Sequence, residues 1–392
     1  MLPVLCVLVA SSAILWIALF LRIQQMDLSI ASLDSAPALP EPAGGWPFLS
    51  VIVPARNEEK DVAACLESLL NQDYPSFELI FIDDQSADRT AAIARRVFEG
   101  HPHARVIAGA DRPAADWVGK SWALVQGGAQ ARGDWLLFID SDVVHHRRAF
   151  RQAAATALEL GVDALSIMPT INCRSFWEKC VMPLFALLCA LVEPFDRTNH
   201  PEKSASRLSG AFILIRRSAY DAAGGHASVH DQVLEDMALA ENLKKQGRPL
   251  WLTYTHDLTS TRMYDSFHDL WAGLSRLGFP MLGYSYAGLA VAALATLVGA
   301  LTPPLAATAG VALLSAGSAA GPFLAPAGAA LLLLNRFAVE RVFRVVKIPS
   351  SYAWLLPLAA TLYCLAAMRG AFRHATGRGL SWKQRVYHAS PG

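Results

Sequence analysis

The sequence predicts an α/β fold, with a mostly parallel sheet, helices on both faces, and transmembrane helices at both ends of the chain. The sheet is predicted because short apolar strands alternate with segments of helical periodicity between about residues 49 and 139. The membrane helices are predicted because apolar residues concentrate in the first 21 residues and after about residue 281. The region between them holds nearly all the acidic residues and reads as a water-soluble domain.

Composition agrees with this division. The 392 residues are 53% hydrophobic, with a mean hydropathy of +0.31, which is too apolar for an ordinary soluble enzyme. A net charge of +1 argues against nucleic-acid binding and against an acidic scaffold. The six cysteines show no C-x-x-C spacing, so neither a disulfide framework nor a structural zinc site is expected, and a reducing cytosol is favoured.

Residues 1–22 are predicted to form an N-terminal transmembrane anchor. The run 2–21 is uncharged and apolar, with roughly the 20 residues that cross a bilayer as a helix. A cleaved signal peptide is the alternative, but it normally carries basic residues before its apolar core, whereas Arg22 follows the run here. Residues 23–47 are interpreted as a linker, because their second half is rich in Pro, Ala and Gly.

Residues 48–280 are predicted to form the α/β domain, whose first elements follow in order. Apolar, β-branched strands are expected at 49–54, 77–82, 105–108 and 134–139. Helices are expected at 58–71, with Asn57 as N-cap, then up to about Phe98, and again from about Lys120. Ligands of such sheets bind at the carboxyl ends of the strands, so acidic residues at those ends are the first candidates for a site.

Residues 281–368 are predicted to form a membrane region with three or four spans. Segments 281–301 and 351–368 are each one span, and 302–334 is either one tilted span or a hairpin, because prolines and a glycine interrupt it. Residues 335–347 alternate basic and apolar residues, as an interfacial helix would. Three spans place that segment inside and the basic tail, 369–392, outside, whereas four reverse both. A cytosolic tail is favoured.

The first candidate cluster is the turn Pro54-Ala-Arg56-Asn57-Glu58, between the first strand and the first helix. A helix N-terminus offers free N–H groups, and the turn can present Asn57 or Glu58 to a nucleotide. The alternative interpretation is an ordinary strand–turn–helix with an N-cap.

The second cluster is the adjacent pair Asp83 and Asp84, at the end of the second strand. Two neighbouring carboxylates repel each other unless something pairs with them, and one can accept a hydrogen bond from a base N–H or a ribose hydroxyl. Ser86 and Asp88 are expected to cap the next helix. The alternative is that both acids are surface turn residues.

The third cluster, Asp140-Ser-Asp142, follows the strand that ends at Ile139. Two carboxylates at a strand-to-loop bend can converge on one site, and hard oxygen ligands suit Mg²⁺ or Mn²⁺ together with substrate phosphates. A D-x-D alone is common, but its place at a third acidic strand end favours a metal site. His145 and His146 are interpreted as loop residues rather than ligands.

The fourth cluster, Glu235-Asp236, lies in a helical pattern after Gly224-Gly225. A helix that presents a carboxylate into a cleft would supply a general base for an acceptor hydroxyl. The alternative is a solvated pair that the helix macrodipole favours. The P-loop, G-x-G-x-x-G, H-E-x-x-H and G-x-S-x-G signatures of other enzyme classes are absent from the sequence.

Together and in this order, the four clusters resemble glycosyltransferase family 2 on a GT-A fold, over residues 49–279. The resemblance implies that the turn with Glu58 contacts the nucleotide and that Asp84 reads its base. It implies that Lys120, in Trp-Val-Gly-Lys, lies near the diphosphate. It also implies a divalent metal, Mg or Mn, at Asp140 and Asp142, with Asp142 as the direct ligand.

On the acceptor side, the resemblance implies that the small-residue segment with Gly210 and Ala211 lines the site. Asp236, beside Glu235, matches the catalytic base of the family, and it would take the proton of the acceptor hydroxyl.

Two further residues carry less specific matches. His256, after an expected strand at 250–254, is a candidate for a further ligand. Processive members of the family carry Q-x-x-R-W on a later helix, of which this sequence keeps only Arg276. Transfer of a single sugar is therefore favoured over synthesis of a long polymer.

The resemblance implies a membrane-bound, metal-dependent, inverting transferase that moves one sugar from a UDP- or GDP-sugar to a lipid acceptor. The order of anchor, catalytic domain and C-terminal spans, and the tail 382–387, also resemble the hopanoid-biosynthesis-associated branch. The expected location is the inner membrane of a bacterium, with the catalytic domain in the cytoplasm and no nucleic-acid partner.

Alternatives remain open. The acceptor could be a polyprenyl phosphate or a carotenoid, or the chain could be a catalytically inactive, membrane-anchored protein that binds nucleotide-sugars or acts as a scaffold. A transporter is disfavoured because the spans carry almost no central ionisable residues. Residues 176–195 add an apolar stretch, which either lies in the membrane interface near the acceptor or is a buried core helix.

Overall fold

The computed structural model describes residues 2–25, 33–35, 41–42, 44–114, 116–192, 198–200, 202, 206–378, 380–382 and 385–387. Its strands are β1 Leu49–Ala55, β2 Phe77–Asp83, β3 Ala104–Ala108, β4 Trp135–Phe138, β5 Val143–His145, β6 Ala164–Met168, β7 Thr170–Ile171, β8 Ile213–Arg216, β9 Leu250–Tyr254, β10 Thr259–Thr261, β11 Leu380–Trp382 and β12 Arg385–Tyr387. Its α-helices are α1 Leu2–Gln25, α2 Val62–Leu70, α3 Thr90–Val97, α4 Gly119–Gln130, α5 Ala149–Glu159, α6 Phe176–Val192, α7 Arg217–Ala222, α8 Glu235–Lys245, α9 Phe267–Leu277, α10 Tyr286–Ala295, α11 Thr302–Ser315, α12 Gly321–Val345 and α13 Leu356–Ala375.

Seven strands form the central sheet, in the order β3-β2-β1-β4-β8-β6-β9. The first four are parallel, β8 is antiparallel to both of its neighbours, and β9 is parallel to β6. The predicted α/β class, with a mostly parallel sheet, is confirmed.

Helices cover both faces of this sheet, because its strands are apolar on both sides. Along β1, Leu49, Val51 and Val53 face a core that includes α2, α3 and α5, whereas Ile52 faces a core that includes α4, α7 and α8. This arrangement confirms the predicted helical layers.

The carboxyl ends of β1, β2 and β4 lie at one edge of the sheet. Ala55 is opposite Asp83 of β2, and Ile52 is opposite Phe138 of β4, so the loops that follow β2 and β4 leave on either side of β1. Pro54 is buried beyond the last β1–β4 residue pair, so its missing N–H removes no bond from that ladder.

The first helix begins later than the sequence pattern predicts. α2 begins at Val62, and Asp61 rather than Asn57 occupies the N-cap position. Asn57 has a φ of 51°, and its side-chain oxygen accepts a hydrogen bond from the nitrogen of Ala87 at 2.8 Å. The predicted N-cap is therefore wrong, because the amide of Asn57 bonds to the neighbouring loop instead.

The predicted cap of α3 is half right. Ser86 does not cap this helix, since its hydroxyl accepts from the nitrogen of Asn57 at 3.0 Å. Asp88 does accept from the nitrogen of Thr90, the first residue of α3, at 3.0 Å. The loops after β1 and β2 thus bond to each other across the sheet edge.

A second, three-stranded sheet pairs β5 with β10 and β10 with β7. His145, predicted as a loop residue, lies in β5 opposite Thr259 and is 4% exposed, so that prediction is wrong. Neither of its ring nitrogens has a hydrogen-bond partner within the described residues. His146 follows the strand and is exposed.

In the described residues, four helical stretches are long and apolar enough to cross a bilayer: Leu2–Gln25, Tyr286–Ser315, Gly321–Val345 and Ser350–Ala375. Large apolar side chains on them are exposed, among them Ile14, Val291 and Phe323. The predicted apolar helices at both ends of the chain are present.

The interruptions in the C-terminal region have a different effect from the expected one. α10 continues through a π-helical turn, Thr296–Leu301, into α11, so Pro303 and Pro304 begin α11 without ending the helical stretch. The chain turns after Ser315, and α11 and α12 form an antiparallel hairpin. Residues 335–345 belong to α12, so a separate interfacial helix at 335–347 is not formed.

The N-terminal helix packs against this C-terminal region. The indole nitrogen of Trp16 donates to the oxygen of Gly299 at 2.7 Å, and Arg341 donates to the oxygen of Ile23 at 3.2 Å. α6 lies beside the same helices, with Leu187 in a cluster with α1 and α12 and Val181 in a cluster with α9 and α13. This packing favours the core-helix interpretation up to Val192, and residues 193–195 lie outside the described residues.

The segment predicted as a linker contains one packed turn, Leu33–Ser35. Leu33 is buried in the core on the α5 face, and its oxygen accepts from Gln152 at 2.9 Å. The Asp34 carboxylate accepts from the nitrogens of His256, Asp257 and Leu258. The chain is therefore fastened to the α/β domain at this point.

Candidate active site

The candidate site begins at the sheet edge where β2, β1 and β4 end. Asp84 follows β2 and Asp140 follows β4, with β1 between them. Adjacent strands lie about 4.8 Å apart, so the two acidic strand ends are separated by about 10 Å along the edge. A nucleotide can lie across this distance.

Lys120 connects the loop after β4 with the start of α8. Its ammonium nitrogen lies 2.7 Å from Asp140 Oδ1 and 2.6 Å from Glu235 Oε1. Lys120 is the second residue of α4, and Glu235 is the first residue of α8. Helix α4, the loop after β4 and helix α8, which are separate in the sequence, therefore meet in one ion-pair network.

The charged groups of this network shift the pKa values of Lys120 and Glu235. Burial opposes the charge on Lys120, but Asp140, Glu235 and Asp236 outweigh it and raise the pKa of Lys120 above its ordinary value. Burial raises the pKa of Glu235, which is 5% exposed, while Lys120 opposes that shift. Glu235 therefore pairs with Lys120 inside the protein rather than facing open solvent.

Gly210 brings Asp236 to the same place. The Gly210 nitrogen donates to Asp236 Oδ2 at 2.8 Å, and the nitrogen of Met237 donates to Oδ1 at 2.8 Å. A Cβ added at Gly210 would lie 2.7 Å from Lys120 Nζ and 3.5 Å from both Asp140 Oδ2 and Asp236 Oδ2. Ala211 follows in the same turn.

Asp142 lies beside Asp140 with little compensation for its charge. Burial, and next the charge of Asp140, raise the pKa of Asp142 to about 6, while Lys120 opposes the shift. The Cys65 thiol donates to the oxygen of Asp140 at 3.7 Å and supports the bend from below. A pair of crowded carboxylates with hard oxygen donors fits a divalent cation.

The described residues contain no group of three His, Cys, Asp or Glu side chains placed to hold a metal ion. The donor set of Asp140 and Asp142 therefore fits a cation that takes its other ligands from substrate phosphates and water, as Mg²⁺ and Mn²⁺ commonly do. His256 is not part of such a group, and its backbone nitrogen is bonded to Asp34.

The turn after β1 contacts the loop after β2. Arg56 donates to the oxygens of Asp84 at 2.6 Å and Gln85 at 2.8 Å, and the nitrogen of Glu58 donates to the Thr90 hydroxyl at 2.7 Å. These bonds fix the backbone around Asp84, which is buried. Nucleotide contact by Pro54, Arg56 and Glu58 stays a prediction.

Arg276 lies on α9, and it influences a residue that sequence reasoning missed. The Tyr264 hydroxyl is buried with no hydrogen-bond partner in the described part of the chain, and its ring packs on Gly273. Burial raises the pKa of Tyr264 to about 12, Arg276 opposes the shift, and Asp142 adds to it. Tyr264 therefore links the α9 side of the domain electrostatically to the acidic cluster.

His226 is the second residue that the sequence did not indicate. Together with Lys120, Asp140, Gly210 and Glu235 it lines a small cavity at the network. Its Nδ1 lies 3.0 Å from the Tyr220 hydroxyl, and burial, then Lys120, lower the pKa of His226 to about 3. A lone histidine after two glycines gives no periodic or motif signal, so this position could not be predicted.

This arrangement combines three chemical capacities. Asp236 is a carboxylate held by two N–H donors, Lys120 is an oriented cation, and Asp140 with Asp142 can bind a divalent ion. The structure brings Asp140 and Asp236 together around Lys120 and Gly210 and places Asp142 beside Asp140, whereas Asp84 lies further along the same sheet edge.

The fold is that of the GT-A-like proteins. A mannosyltransferase from Pyrobaculum calidifontis, solved in complex with GDP-Man and Mn²⁺, matches over 93% of this chain and 98% of its own, with a TM-score of 0.54 at 20% sequence identity. At this identity the likeness shows the fold.

Sequence comparison matches part of the chain to a family model and to curated relatives. Residues 50–224 match the family model described as Glycosyl transferase family 2. The 4,4'-diaponeurosporenoate glycosyltransferases of Staphylococcus aureus strains MRSA252 and USA300 are 29% and 28% identical over 231 residues, 58% of this chain. The chain spans 60% of the length of these relatives.

Proposed function

We propose that this chain is a membrane-bound, metal-dependent, inverting glycosyltransferase that moves one sugar from a nucleotide-sugar to a lipid acceptor. The observation that carries the proposal is the set of contacts at Gly210. Its nitrogen donates to Asp236, and the same residue lies against Lys120 and Asp140. The side chains proposed as the base, as the cation for the diphosphate and as a metal ligand are therefore grouped around this one glycine.

Asp236 would act as the general base. It would take the proton of the acceptor hydroxyl while the acceptor oxygen forms a bond to C1 of the sugar. The bond from C1 to the diphosphate oxygen breaks, its electron pair leaves with the diphosphate, and the anomeric centre inverts. The N–H groups of Gly210 and Met237 orient the carboxylate, and a placed base contributes roughly 10²–10⁴-fold to the rate.

Lys120 would offset the charge that develops on the leaving diphosphate. Its ammonium is held at 2.6 Å by Glu235, so it is in place before the donor binds. Asp140 and Asp142 would hold a Mg²⁺ or Mn²⁺ ion, which supplies further neutralisation of the diphosphate when bound. Asp84, with its backbone fixed by Arg56, would read the nucleotide base of a UDP- or GDP-sugar.

The membrane part of the proposal rests on the long apolar helices and their exposed side chains. In the proposed arrangement the chain lies in the inner membrane of a bacterium, with residues 48–280 as the catalytic domain on the cytoplasmic side and 281–368 as the C-terminal membrane region. The anchor, 1–22, keeps the catalytic domain, and with it the site, close to lipid acceptors.

Two lipid acceptors differ in their chemistry. A hopanoid-related lipid with a hydroxyl group must lose a proton during transfer, and the position of Asp236 favours such an acceptor. A carotenoid acid is the second candidate, because the S. aureus relatives are named for diaponeurosporenoate. A carboxylate acceptor brings no proton, so its transfer would not need Asp236 as a base.

The test is to incubate membranes that contain the full chain with a panel of UDP- and GDP-sugars, with Mn²⁺, with Mg²⁺ or with EDTA. We expect one lipid to gain the mass of a single sugar only when metal is present. Mass spectrometry of that lipid identifies the acceptor. Binding of nucleotide-sugars without transfer to any lipid would contradict the proposal and favour the binding or scaffold alternative.

A further inference from the structure

The beginning of the last apolar helix contacts the catalytic domain. In the turn before α13, the ring of Tyr352 lies 5.9 Å from that of Phe176, and the Cys180 thiol lies 4.0 Å from the oxygen of Leu355. Ser350 accepts from Arg336 at 3.0 Å, in the part of α12 that approaches the catalytic domain. The first end of α13 therefore lies beside α6.

The other end of α13 contacts the catalytic domain as well. The ring of His374 lies 5.6 Å from Phe279 and 5.2 Å from Tyr284, two residues that connect α9 to α10. A Cβ at Gly370 would lie 2.5 Å from the oxygen of Ser275, so the helix backbones of α13 and α9 touch. β11, which follows α13, also contacts α9.

A spanning helix cannot have both ends on one side of the bilayer. The hydrocarbon core is about 30 Å thick. A helix that crosses it must therefore have one end on the side away from the catalytic domain, where the other spans also end. Here that far end is the turn of the α11–α12 hairpin, residues 316–320. α13 contacts α6 and α9 along its length, and it also contacts α10 and the π-helical turn Thr296–Leu301 in the middle of the stretch α10–α11.

The outward face of α13 carries an apolar stripe. Trp354, Leu358, Leu365, Met368 and Phe372 are exposed and follow one another at steps of four, seven, three and four residues. Phe372 is 60% exposed. The opposite face, with residues such as Ala359, Ala366, Ala367 and Ala371, is buried against the protein.

Basic residues stand beside this stripe. Arg369 lies with its guanidinium 5.9 Å from the ring centre of Trp271, and Arg373 is in the last turn. An apolar stripe flanked by cations is the pattern of a helix that rests in the interface of a bilayer with anionic headgroups.

We infer that α13 does not cross the bilayer but lies in the headgroup region of the leaflet that faces the catalytic domain, with its apolar stripe in the lipid. The inference rests on the proposed membrane function. The described residues then contain three spans, namely α1, the stretch α10–α11, and α12. The basic segment 336–347 and the basic tail after residue 368 both lie on the catalytic side, which removes the charge conflict that three or four C-terminal spans produce.

Reporters inserted into the full chain test this topology in a bacterial host. Alkaline phosphatase inserted after Gly317, in the hairpin turn, should be active because it is exported. The same enzyme fused to the C-terminus should be inactive, and a fluorescent protein there should fluoresce. An active phosphatase at the C-terminus would overturn the inference. An inactive one after Gly317 would instead show that the hairpin does not cross the bilayer, which contradicts the proposed C-terminal spans.

A pair of substitutions tests the depth of the helix. Leu365→Arg on the stripe should leave the yield of folded protein in membranes near that of the wild type, because the charge reaches the headgroups. Leu333→Arg, at an exposed position of α12, should lower that yield several-fold. Equal losses in the two variants would place α13 in the hydrocarbon core and contradict the inference.

Discussion

At the residue scale, Gly210 determines how closely the acidic cluster can gather. It has no side chain, and the space where a Cβ would be is taken by the ammonium of Lys120. Its nitrogen is also a donor to Asp236. A small residue is thus required for a steric reason and for a hydrogen-bonding reason at one position.

We predict that Gly210→Ala lowers turnover about tenfold or more, because the added methyl group displaces Lys120 from Asp140 and an ionic hydrogen bond contributes about 1.5–3 kcal/mol. The measurement is kcat with the sugar donor that the panel of UDP- and GDP-sugars identifies. Gly44→Ala is the control, since a Cβ at Gly44 meets no atom within 4 Å. Equal activity of the two variants would show that the space at Gly210 is not needed.

A second residue-scale prediction concerns Asp236. Asp236→Asn should lower turnover by roughly 10²–10⁴-fold while donor binding stays near normal, because the amide keeps the shape but cannot take a proton. Kinetics and titration of the nucleotide measure the two effects. Glu241→Gln, an exposed position on the same helix, is the matched control. Retained activity in Asp236→Asn would fit a carboxylate acceptor and exclude Asp236 as the base.

The sequence indicated which acids belong to the site but not how they are held. Strand ends predicted the loops of Asp84 and Asp140, because parallel strands end at one edge. The bond between Lys120 and Glu235 joins residues 115 positions apart in the chain and has no local signal. His226 and Tyr264 were missed for the same reason, since burial beside a charged cluster is a tertiary property.

At the scale of elements, local patterns predicted strands well and helix starts less well. β1 and β2 extend only one residue beyond their predicted ends, because apolar β-branched runs identify buried strands. α2 starts late because the polar turn before it bonds to the loop after β2. The proline pair at 303–304 does not interrupt the helical stretch as expected, because it lies in the first turn of α11, directly after a π-helical turn.

The β5–β10 ladder gives a prediction about pH. Burial lowers the pKa of His145 to about 3, from an ordinary value of 6.5. The unfolded chain takes up a proton below pH 6.5 that the folded chain cannot bind, so stability is lost as pH falls from 6.5 toward 3. The loss is about 1.4 kcal/mol per pH unit for this histidine.

Thermal unfolding in detergent at pH 7.5 and 5.5 measures the effect. We expect the difference in Tm between the two pH values to shrink in His145→Gln, although His226, which is shifted in the same direction, maintains part of it. His146→Gln, at the exposed neighbouring position, should keep the full difference. An unchanged difference in His145→Gln would contradict the assignment.

The α11–α12 hairpin gives a prediction about packing. A Cβ at Gly328 would lie 2.2 Å from the nitrogen of Ala307, so the two helices touch through their backbones. Gly328→Ala should destabilise the hairpin by about 1–3 kcal/mol, as overpacking does. The melting temperature in detergent measures it. Gly288→Ala, where the nearest atom is 3.4 Å from the added Cβ, should have a smaller effect, and equal melting temperatures would refute the close contact.

At the scale of the whole molecule, the sequence predicted a soluble α/β region between two apolar ends, because composition changes sharply at those points. It did not predict that the two ends pack together. Trp16 and Gly299 are 283 residues apart, and their hydrogen bond joins α1 to the start of the C-terminal helices. Long-range pairing of two apolar helices leaves no periodic trace in either of them.

Deletion of residues 1–25 tests that pairing. We expect the shortened chain to stay in the membrane after a carbonate wash, because α10–α12 remain. Its melting temperature should fall, because Gly299 loses its bond to Trp16 and Arg341 loses its partners on α1. Release of the shortened chain into the soluble fraction would show that α1 alone is the anchor.

The fastening of Asp34 to the backbone after β9 sets a distance. α1 ends at Gln25 and the packed turn begins at Leu33, so eight peptide steps join the bilayer to the domain. A fully stretched chain covers at most about 3.6 Å per residue, or roughly 29 Å in all. The packed turn therefore lies within about that distance of the end of α1, and under the proposed function this short connection keeps the catalytic domain close to its lipid acceptor.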